Sequence, residues 1–442
     1  MAVGGAEMSS SPVLADAKAY HAAGRFTDAA ALYLRHFTEY PEDVDHAHLL
    51  VQALAHLKNL EQATALCRAS LNVHPNSAVL HALYGWYLLK ARDFTQSEFH
   101  LLAAIRLAPQ AVEGWVYLAQ WAVNRGMWAK ARELNKHALS LNPTHAIANY
   151  NQSLCLLRAG RWAEGWRRYE YRWETTGFLS QHQGLPEYRP FLRGANLTDK
   201  TVLVYAEQGI GDALQFVRYL PLLKERGARV FLLTGGRGLN PLLEVFADTL
   251  GIELLIAPGD LVPLTDYAVP MLSLPHLLRK DEPYNPGPYL LFPTAPRDGG
   301  FRVGYVWAGS PGHEGDQQRS TERAQWADLL ATPDIDWVPL QVGAGGTFTP
   351  ADWLETALLV GTCDLVITVD TAVAHLAGAM GIDCWMLLPL YSDWRWGEAG
   401  DRTPWYDRTR LFRQTTMGAW GPVFEAVAAE LVTHIDTLRI GA

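Results

Sequence analysis

Cysteine is scarce in this chain: four residues in 442, Cys67, Cys155, Cys363 and Cys384, far apart and with no CxxC pair. That spacing argues against a disulfide framework or a zinc site and fits a reducing cytoplasm, the compartment expected here. Cys363 and Cys384 flank apolar runs and read as core thiols. Charge is thin as well, at 19% of residues with a formal net of −9. Nucleic acid and anionic membranes are therefore poor candidates for the main partner, and any anion site must be local. No run approaches the roughly 18 apolar residues of a membrane span. The first twelve residues, MAVGGAEMSSSP, lack the basic and apolar regions of a signal peptide, so 1–12 reads as a flexible tail. With 49% apolar residues the chain has ample core, and its length suggests about three domains.

A period is present in the first third. Pro41, Pro75, Pro109 and Pro143 recur every 34 residues, and Gly24, Lys58, Arg92, Gly126 and Gly160 keep the same spacing. Two residues after each of these comes a bulky side chain: Phe26, Leu60, Phe94, Trp128 and Trp162. Ala29, Ala63, Ser97, Ala131 and Gly165 supply the small residues of the register. Small residues let two helices approach, the bulky one fills the groove, and proline ends the second helix. This pattern resembles the tetratricopeptide repeat, with about four and a half units over 13–175 stacked into an α-solenoid. Such an array serves either as a spacer or as a docking groove for a protein. Its last stretch, Arg161–Trp173, interleaves five aromatics with four arginines and reads as an end cap, a ligand site being the alternative. Residues 176–200, with Gly184, Pro186, Pro190 and Gly194, read as a linker.

From Thr201 strands and helices alternate. Strands are expected at Thr201–Ala206, Arg229–Thr234, Ile252–Ala257 and Tyr267–Met271, with helices at Asp212–Arg226 and Leu239–Thr249. After a proline-rich connection at Tyr284–Arg297 the pattern restarts. It gives strands at Arg302–Trp307, Asp336–Leu340, Leu365–Val369, up to Leu388 and around Arg410–Arg413. Helices are expected near Glu322–Leu330 and at Asp352–Val360, Ala372–Met380 and Val423–Leu438. Two doubly wound, Rossmann-like domains, 201–298 and 299–442, would face each other across a cleft.

Chemistry concentrates where strands end. Glu207, Gln208, Gly209, Ile210, Gly211 and Asp212 follow the first strand, and the glycines permit close backbone approach. It is neither a dinucleotide fingerprint nor a P-loop, since Leu214 stands where the third glycine would be and no Gly-Lys-Ser/Thr follows. Asp212 is either a helix cap or a reactive carboxylate; Gln215 shares its face. Ala308–Gly312 ends the next domain's first strand, with Gly309 and Ser310 suited to phosphate or ribose and Arg319 in the loop beyond. Gln341 opens a glycine-rich turn. In DTAVAH, Asp370 and Thr371 suit a helix start, Ala372 begins the helix, and His375 lies four residues after Thr371. Backbone N–H groups, a hydroxyl and an imidazole there suit a diphosphate, although a packed core histidine is an equal reading of His375. Asp393, Trp394, Arg395 and Trp396 form a further motif. The D-x-D triplets at Asp43–Asp45 and Asp334–Asp336 do not read as metal sites.

As an ordered set, EQGIGD, QFVRYLPLL, VGYVWAGSP, LQVG, VDTAVAHLAGAMG, DWRW and PWYDRTRLFRQ resemble bacterial glycosyltransferases that join tetratricopeptide repeats to a heptosyltransferase-like GT-B module. The resemblance covers about 197–414 and the repeats before it. It implies a GT-B fold, an inverting and metal-independent transfer, and a nucleotide-sugar donor as substrate, with no cofactor. The acceptor implied is a protein hydroxyl, flagellin among the candidates, recruited by the repeats. Asp212 matches the proposed general base; Asp370, Thr371 and His375 match the turn that holds the donor diphosphate and ribose. Gly309, Ser310, Arg319, Gln341 and Ala372 are expected on the donor side. Glu207, Gln208, Gly209, Gly211, Gln215, Trp394 and Arg395 are expected near sugar or acceptor. Ala372 departs from the glycine usual after that threonine, and DWRW lies outside the heptosyltransferase pattern, so the sugar stays open. Two alternatives remain: a non-catalytic scaffold with a degenerate nucleotide-binding module, and an enzyme acting on lipid or polysaccharide.

Overall fold

The computed structural model describes residues 12–39, 49–50, 52–53, 60–175, 178, 184–292, 300–313, 315–343 and 345–441. Most of the expected tail, and Pro41 and Lys58 of the repeat register, lie outside these. The chain forms two compact units, 1–152 and 153–442. The division falls earlier than the end of the repeats expected at 175, so 153–175 packs with the α/β region.

The first unit is built of helix pairs: Pro12–Ala22 with Phe26–Glu39, Ala78–Lys90 with Phe94–Leu107, and Val112–Asn124 with Trp128–Leu141, with Leu60–Val73 between the first two pairs. The 34-residue register is legible in the backbone. Gly24, Arg92, Gly126 and Gly160 all adopt positive φ, from 65° to 74°. At each, the next residue's N–H reaches back to close the helix end: Arg25 to the Tyr20 carbonyl, Asp93 to Leu88, Met127 to Ala122 and Arg161 to Leu156. This is the left-handed helix stop that glycine favours and that Arg92 adopts under strain. The small residues of the register, Ala29, Ala63, Ser97 and Ala131, are fully buried. Ser97 satisfies its hydroxyl on the Gly85 carbonyl at 2.7 Å. A Cβ at Gly85 would lie 2.7 Å from Leu101 Cγ, so the closeness of the pair depends on glycine.

The second unit begins within the helix Ala146–Arg158 and continues through Trp162–Tyr169. Trp166, Tyr169 and Arg172 are almost fully buried, and the Arg172 guanidinium lies over Tyr169 at 4.6 Å and Trp173 at 5.3 Å. The segment's aromatics and Arg172 are therefore part of the core of the second unit. The strands that follow are β1 (Thr201–Tyr205), β2 (Arg229–Leu233), β3 (Ile252–Ile256) and β4 (Tyr267–Pro270). They form one parallel sheet in the order β3-β2-β1-β4. The helix expected over Asp212–Arg226 is interrupted: Ile210–Phe216, a 3-10 turn at Val217–Tyr219, then Leu220–Glu225. Pro221 explains the break, because it has no N–H for the Val217 carbonyl.

The second sheet holds β5 (Phe301–Val306), β6 (Ile335–Pro339), β7 (Leu365–Val369), β8 (Asp383–Leu388), β9 (Arg402–Thr403) and β10 (Tyr406–Arg413), in the order β6-β5-β7-β8-β10-β9. All pairs are parallel except β9 with β10. β10 starts four residues before its expected place; its polar alternation, YDRTRLFR, hid the strand. The closing helix Gly421–Gly441 packs Val423, Val427 and Leu431 on Tyr305, Ile367 and Leu387 of the sheet. Arg218, buried, joins the two sheets and their connection. It donates to the carbonyls of Gln215 (2.7 Å), Tyr284 (3.2 Å) and Trp405 (2.8 Å) and to the Tyr289 hydroxyl (3.2 Å).

Candidate functional site

The turn after β1 leads into the helix Ile210–Phe216, whose cap is Gly209. Asp212, at the third position, reaches back so that Oδ2 accepts from the Gly209 N–H at 3.0 Å. This settles its local role as a capping partner through one oxygen. Oδ1 accepts from Arg395 Nη2, from the loop after β8. Burial raises the Asp212 carboxyl above its ordinary value, and the Arg395 charge pulls the other way.

Opposite stands the turn after β7. The Thr371 backbone caps the helix Ala372–Met380, but its side chain makes no capping bond; the hydroxyl lies 3.0 Å from Thr368 Oγ1. Thr368 donates its own proton to the Val369 carbonyl at 2.8 Å, which makes Thr371 the donor in that contact. Asp370 accepts from Trp396 Nε1 at 2.9 Å, and burial pushes its carboxyl up to about 6. His375 bonds through Nδ1 to the Tyr406 hydroxyl at 2.9 Å and stacks on Trp396 at 5.4 Å. Burial, with the charges of Arg395, Arg218 and Arg319, holds the imidazole well below its ordinary pKa, hence neutral at pH 7.

The two helix starts touch. A Cβ on Gly211 would come 3.0 Å from His375 Cδ2 and 3.4 Å from Ala372 Cα. Gly211 and the small residue at 372 are thus what allow the ends of β1 and β7 to share one site. Gly378 has a similar role further along the same helix, where a Cβ would collide with the Tyr406 ring.

The DWRW loop inserts between these two turns. Arg395 donates Nε to Gln215 Oε1 at 2.7 Å and Nη1 to Asp393 Oδ1 at 2.9 Å, besides its bond to Asp212. Its guanidinium lies over Trp394 at 4.2 Å. Asp393 and Asp212 raise its pKa despite the opposing desolvation. The loop is anchored from below by Arg158, whose Nη1 donates to the Ser392 carbonyl at 2.6 Å, and by Arg413, which donates to the Trp396 carbonyl.

A third group lies at the end of β5. Gly309 N–H donates to Ser320 Oγ at 2.9 Å, and a Cβ there would meet Asp316 Oδ1 at 2.5 Å and Arg319 Nη2 at 2.7 Å. Arg319 pairs with Asp316 at 3.3 Å, and its charge acts on Asp370 and His375. Ser310 is exposed. Gln341 acts as a strand tether: Oε1 accepts from the Trp307 and Ala308 N–H groups at 3.1 and 2.9 Å, and Nε2 donates to the Val342 carbonyl at 3.0 Å.

Asp212, Gly211, Gln215, Asp370, Ala372, His375, Trp394 and Arg395 therefore gather in one place, with Thr371 on its edge. Glu207 and Gln208 face a different neighbour. Glu207 Oε1 accepts from Arg172 Nη2 at 3.0 Å and from the Leu272 N–H at 3.3 Å, and Gln208 Nε2 donates to the Tyr169 hydroxyl at 2.8 Å. Burial pushes Glu207 up to about 7, with Arg172 opposing. The sequence reading missed Tyr406, Asp393 as a partner of Arg395, and Arg218; the tyrosine's one signal was its place in PWYDRTRLFRQ. Among the described residues no group of three or more His, Cys, Asp or Glu side chains is placed to hold a metal ion. No described helix is long and apolar enough to cross a membrane.

Comparison with known proteins bears chiefly on the repeats. Residues 14–78 match a family model described as tetratricopeptide repeat. The N-terminal helices are tetratricopeptide-like repeats. Protein FlbA of Caulobacter vibrioides is 26% identical over 467 aligned positions, covering 91% of this chain and 75% of that protein. Among solved structures, the tetratricopeptide-repeat protein TTC0263 of Thermus thermophilus is 20% identical and covers 37% of this chain and 90% of its own, with a TM-score of 0.34. MamA is 16% identical over 39% of this chain and 95% of its own, with a TM-score of 0.30.

Proposed function

We propose that the second unit is an inverting, metal-independent glycosyltransferase of the GT-B type. It would move a sugar from a nucleotide-sugar to a hydroxyl of a protein, flagellin being one candidate, recruited by the repeats. One observation carries the reading: the starts of two helices, each following a strand of a different parallel sheet, meet with Asp212 on one and Asp370, Thr371 and His375 on the other. Ligands of such sheets sit outside the carboxyl ends of the strands.

In this reading Asp212 takes the acceptor proton as the hydroxyl attacks the anomeric carbon, while the bond to the diphosphate breaks. Asp212 already accepts from Gly209 and Arg395. A carboxylate has about four acceptor positions, so room for the hydroxyl remains. The first amides of Ala372–Met380 and Arg319 neutralise the departing diphosphate. His375 contributes no charge, because it is neutral; the Tyr406 hydroxyl occupies its Nδ1, which leaves Nε2 for a phosphate oxygen. Gln341 supports this site from behind by fixing the ends of β5 and β6 rather than by touching the donor.

The test is Asp212→Asn, read by intact mass of candidate acceptors after co-expression and by nucleotide-diphosphate titration. Transfer should be lost while nucleotide binding stays within about twofold; full transfer in the variant would remove Asp212 from the role. A scaffold without activity is the second reading. It is favoured by the pairing of Asp212, Asp370 and His375 with other side chains of the protein, as in a packed core. Release of free sugar from a donor excludes it. Action on lipid or polysaccharide predicts instead that a chain lacking residues 1–152 still modifies its acceptor.

A further inference from the structure

Two histidines stand in the repeat register where other units carry different residues, and they meet. Six residues after Pro75, Pro109 and Pro143 comes a side chain that donates to that proline's carbonyl: His81 Nε2 at 3.0 Å, Trp115 Nε1 at 2.9 Å and Asn149 Nδ2 at 2.9 Å. A carbonyl only accepts, so His81 Nε2 carries a proton, and in the neutral ring Nδ1 keeps its lone pair. That nitrogen lies 2.8 Å from Nδ1 of His100. His81 is on the helix Ala78–Lys90 and His100 on its pair, Phe94–Leu107.

The place of His100 is filled by leucine in other units, at Leu32, Leu66 and Leu134 in the same 34-residue spacing. His100 is half-buried; its ring stacks on His81 at 5.0 Å between centroids, and Tyr84 lies 4.5 Å away. Burial, and then His81, push the His100 imidazole down to about 4, so at pH 7 it is a neutral base. A leucine would bury apolar surface there without desolvating a polar ring. Packing alone therefore gives no reason for a histidine at this place.

We propose that His81 and His100 bind one divalent transition-metal cation of the copper or nickel class through their Nδ1 atoms. The spacing points to that class. With metal–nitrogen bonds of about 2.0 Å, two neighbouring ligands lie about 2.8 Å apart in a square-planar or tetragonal shell and about 3.3 Å apart in a tetrahedral one. The two nitrogens are already at the first separation. Metal-ligating histidines commonly donate their other ring N–H to a carbonyl, which fixes the tautomer, and the Pro75 carbonyl does this for His81. His100 binds once its proton moves from Nδ1 to Nε2, with no net release. Its lone pair then turns from His81 toward the shared ion, within the broad χ2 well of histidine. Water takes the other coordination positions, since among the described residues no third His, Cys, Asp or Glu joins the pair. The pair belongs to the first unit, so the proposal is independent of the transferase reading, whose site uses no metal.

The repeats themselves supply variants that should fold. His100→Leu places there the residue type that stands at 66 and 134, and His81→Asn keeps the donation to the proline carbonyl that Asn149 makes. Circular dichroism of both should match the parent in metal-free buffer. The untagged full chain, stripped with a chelator, is titrated with Ni(II) by calorimetry at about pH 7, and one equivalent of Cu(II) is read by electron paramagnetic resonance. The parent should show one Ni(II) site at least about tenfold tighter than any binding left in either variant. Its Cu(II) spectrum should carry hyperfine splitting from a pair of equatorial nitrogens, absent in both variants. Equal Ni(II) binding in parent and variants would place the metal on other histidines and overturn the proposal. Loss in only one variant, or no Ni(II) binding by the parent, would overturn it too and leave the pair as a hydrogen-bonded packing contact.

Discussion

Replacing Arg395 with methionine tests the site at its most connected point. The side chain is 8% exposed and carries three hydrogen bonds to Asp212, Asp393 and Gln215. Breaking a buried ion pair by removing one partner costs about 3–5 kcal/mol. The lower end applies, because the partners keep some water: the Asp212 and Asp393 side chains are 20% and 38% exposed. Methionine keeps the contact with Trp394 and so removes the charge more than the volume. A loss of about 3 kcal/mol should lower the melting temperature by roughly 6–12 °C in a unit of this size. Arg395→Lys should lose about half as much, since an ammonium keeps the charge but not the fork. In an Asp212→Asn/Arg395→Met cycle the two losses should fall short of additivity by about 1–2 kcal/mol. The same change should move the acid limb of transfer to higher pH: Arg395 holds the Asp212 carboxyl down, so its removal lets the base take up its proton earlier as pH falls. Calorimetry at pH 7 is the assay. A shift below about 2 °C for the methionine variant, or full additivity in the cycle, would refute the claim that Arg395 ties the two halves through Asp212.

Gly378→Ala should destabilise the second unit by about 1–3 kcal/mol and alter the near-ultraviolet circular dichroism, because the new methyl displaces the buried Tyr406 ring; an unchanged melt would show that the ring yields freely. Glu207, with an ordinary value of 4.5 and a folded value of about 7, should make stability fall as pH rises between those limits. In that window the unfolded chain has released the proton and the folded chain still holds it; below it both hold it and above it neither does. The fall amounts to about 3 kcal/mol at most, and Glu207→Gln should flatten it in melts taken from about pH 5 to 8.

The repeat register was the most legible feature of the sequence because its cause is local. Gly24, Arg92, Gly126 and Gly160 each end a helix by the same dihedral, and each small residue meets its own neighbouring helix. The strand ends were legible too, since β-branched runs followed by glycine or Asp-Thr report their own turns. What local pattern could not show was pairing over distance. Arg395 and Asp212 lie 183 residues apart, and nothing near either names the other. Gln341 illustrates the converse: its place at a strand end suggested a ligand, but its amide is used by Trp307, Ala308 and Val342. The break at Pro221 is visible in the residue itself, although the apolar spacing continues through it and favours one long helix.

Arg218 has a consequence for the electrostatic potential inside the second unit. Its hydrogen bonds go to three backbone carbonyls and a phenol, none of which carries a full negative charge, and its pKa is raised despite burial. The guanidinium is thus a permanent source of positive potential at any pH the fold survives. Burial first, and then Arg395, Arg218 and Arg319 together, keep His375 uncharged. In the proposed transfer, that positive potential would attract the donor diphosphate, and moderate salt would not remove it, because the source lies out of reach of mobile ions. A chain with a net charge of −9 can in this way keep a local positive potential in its interior, to which Arg218 contributes without a carboxylate partner among its hydrogen bonds.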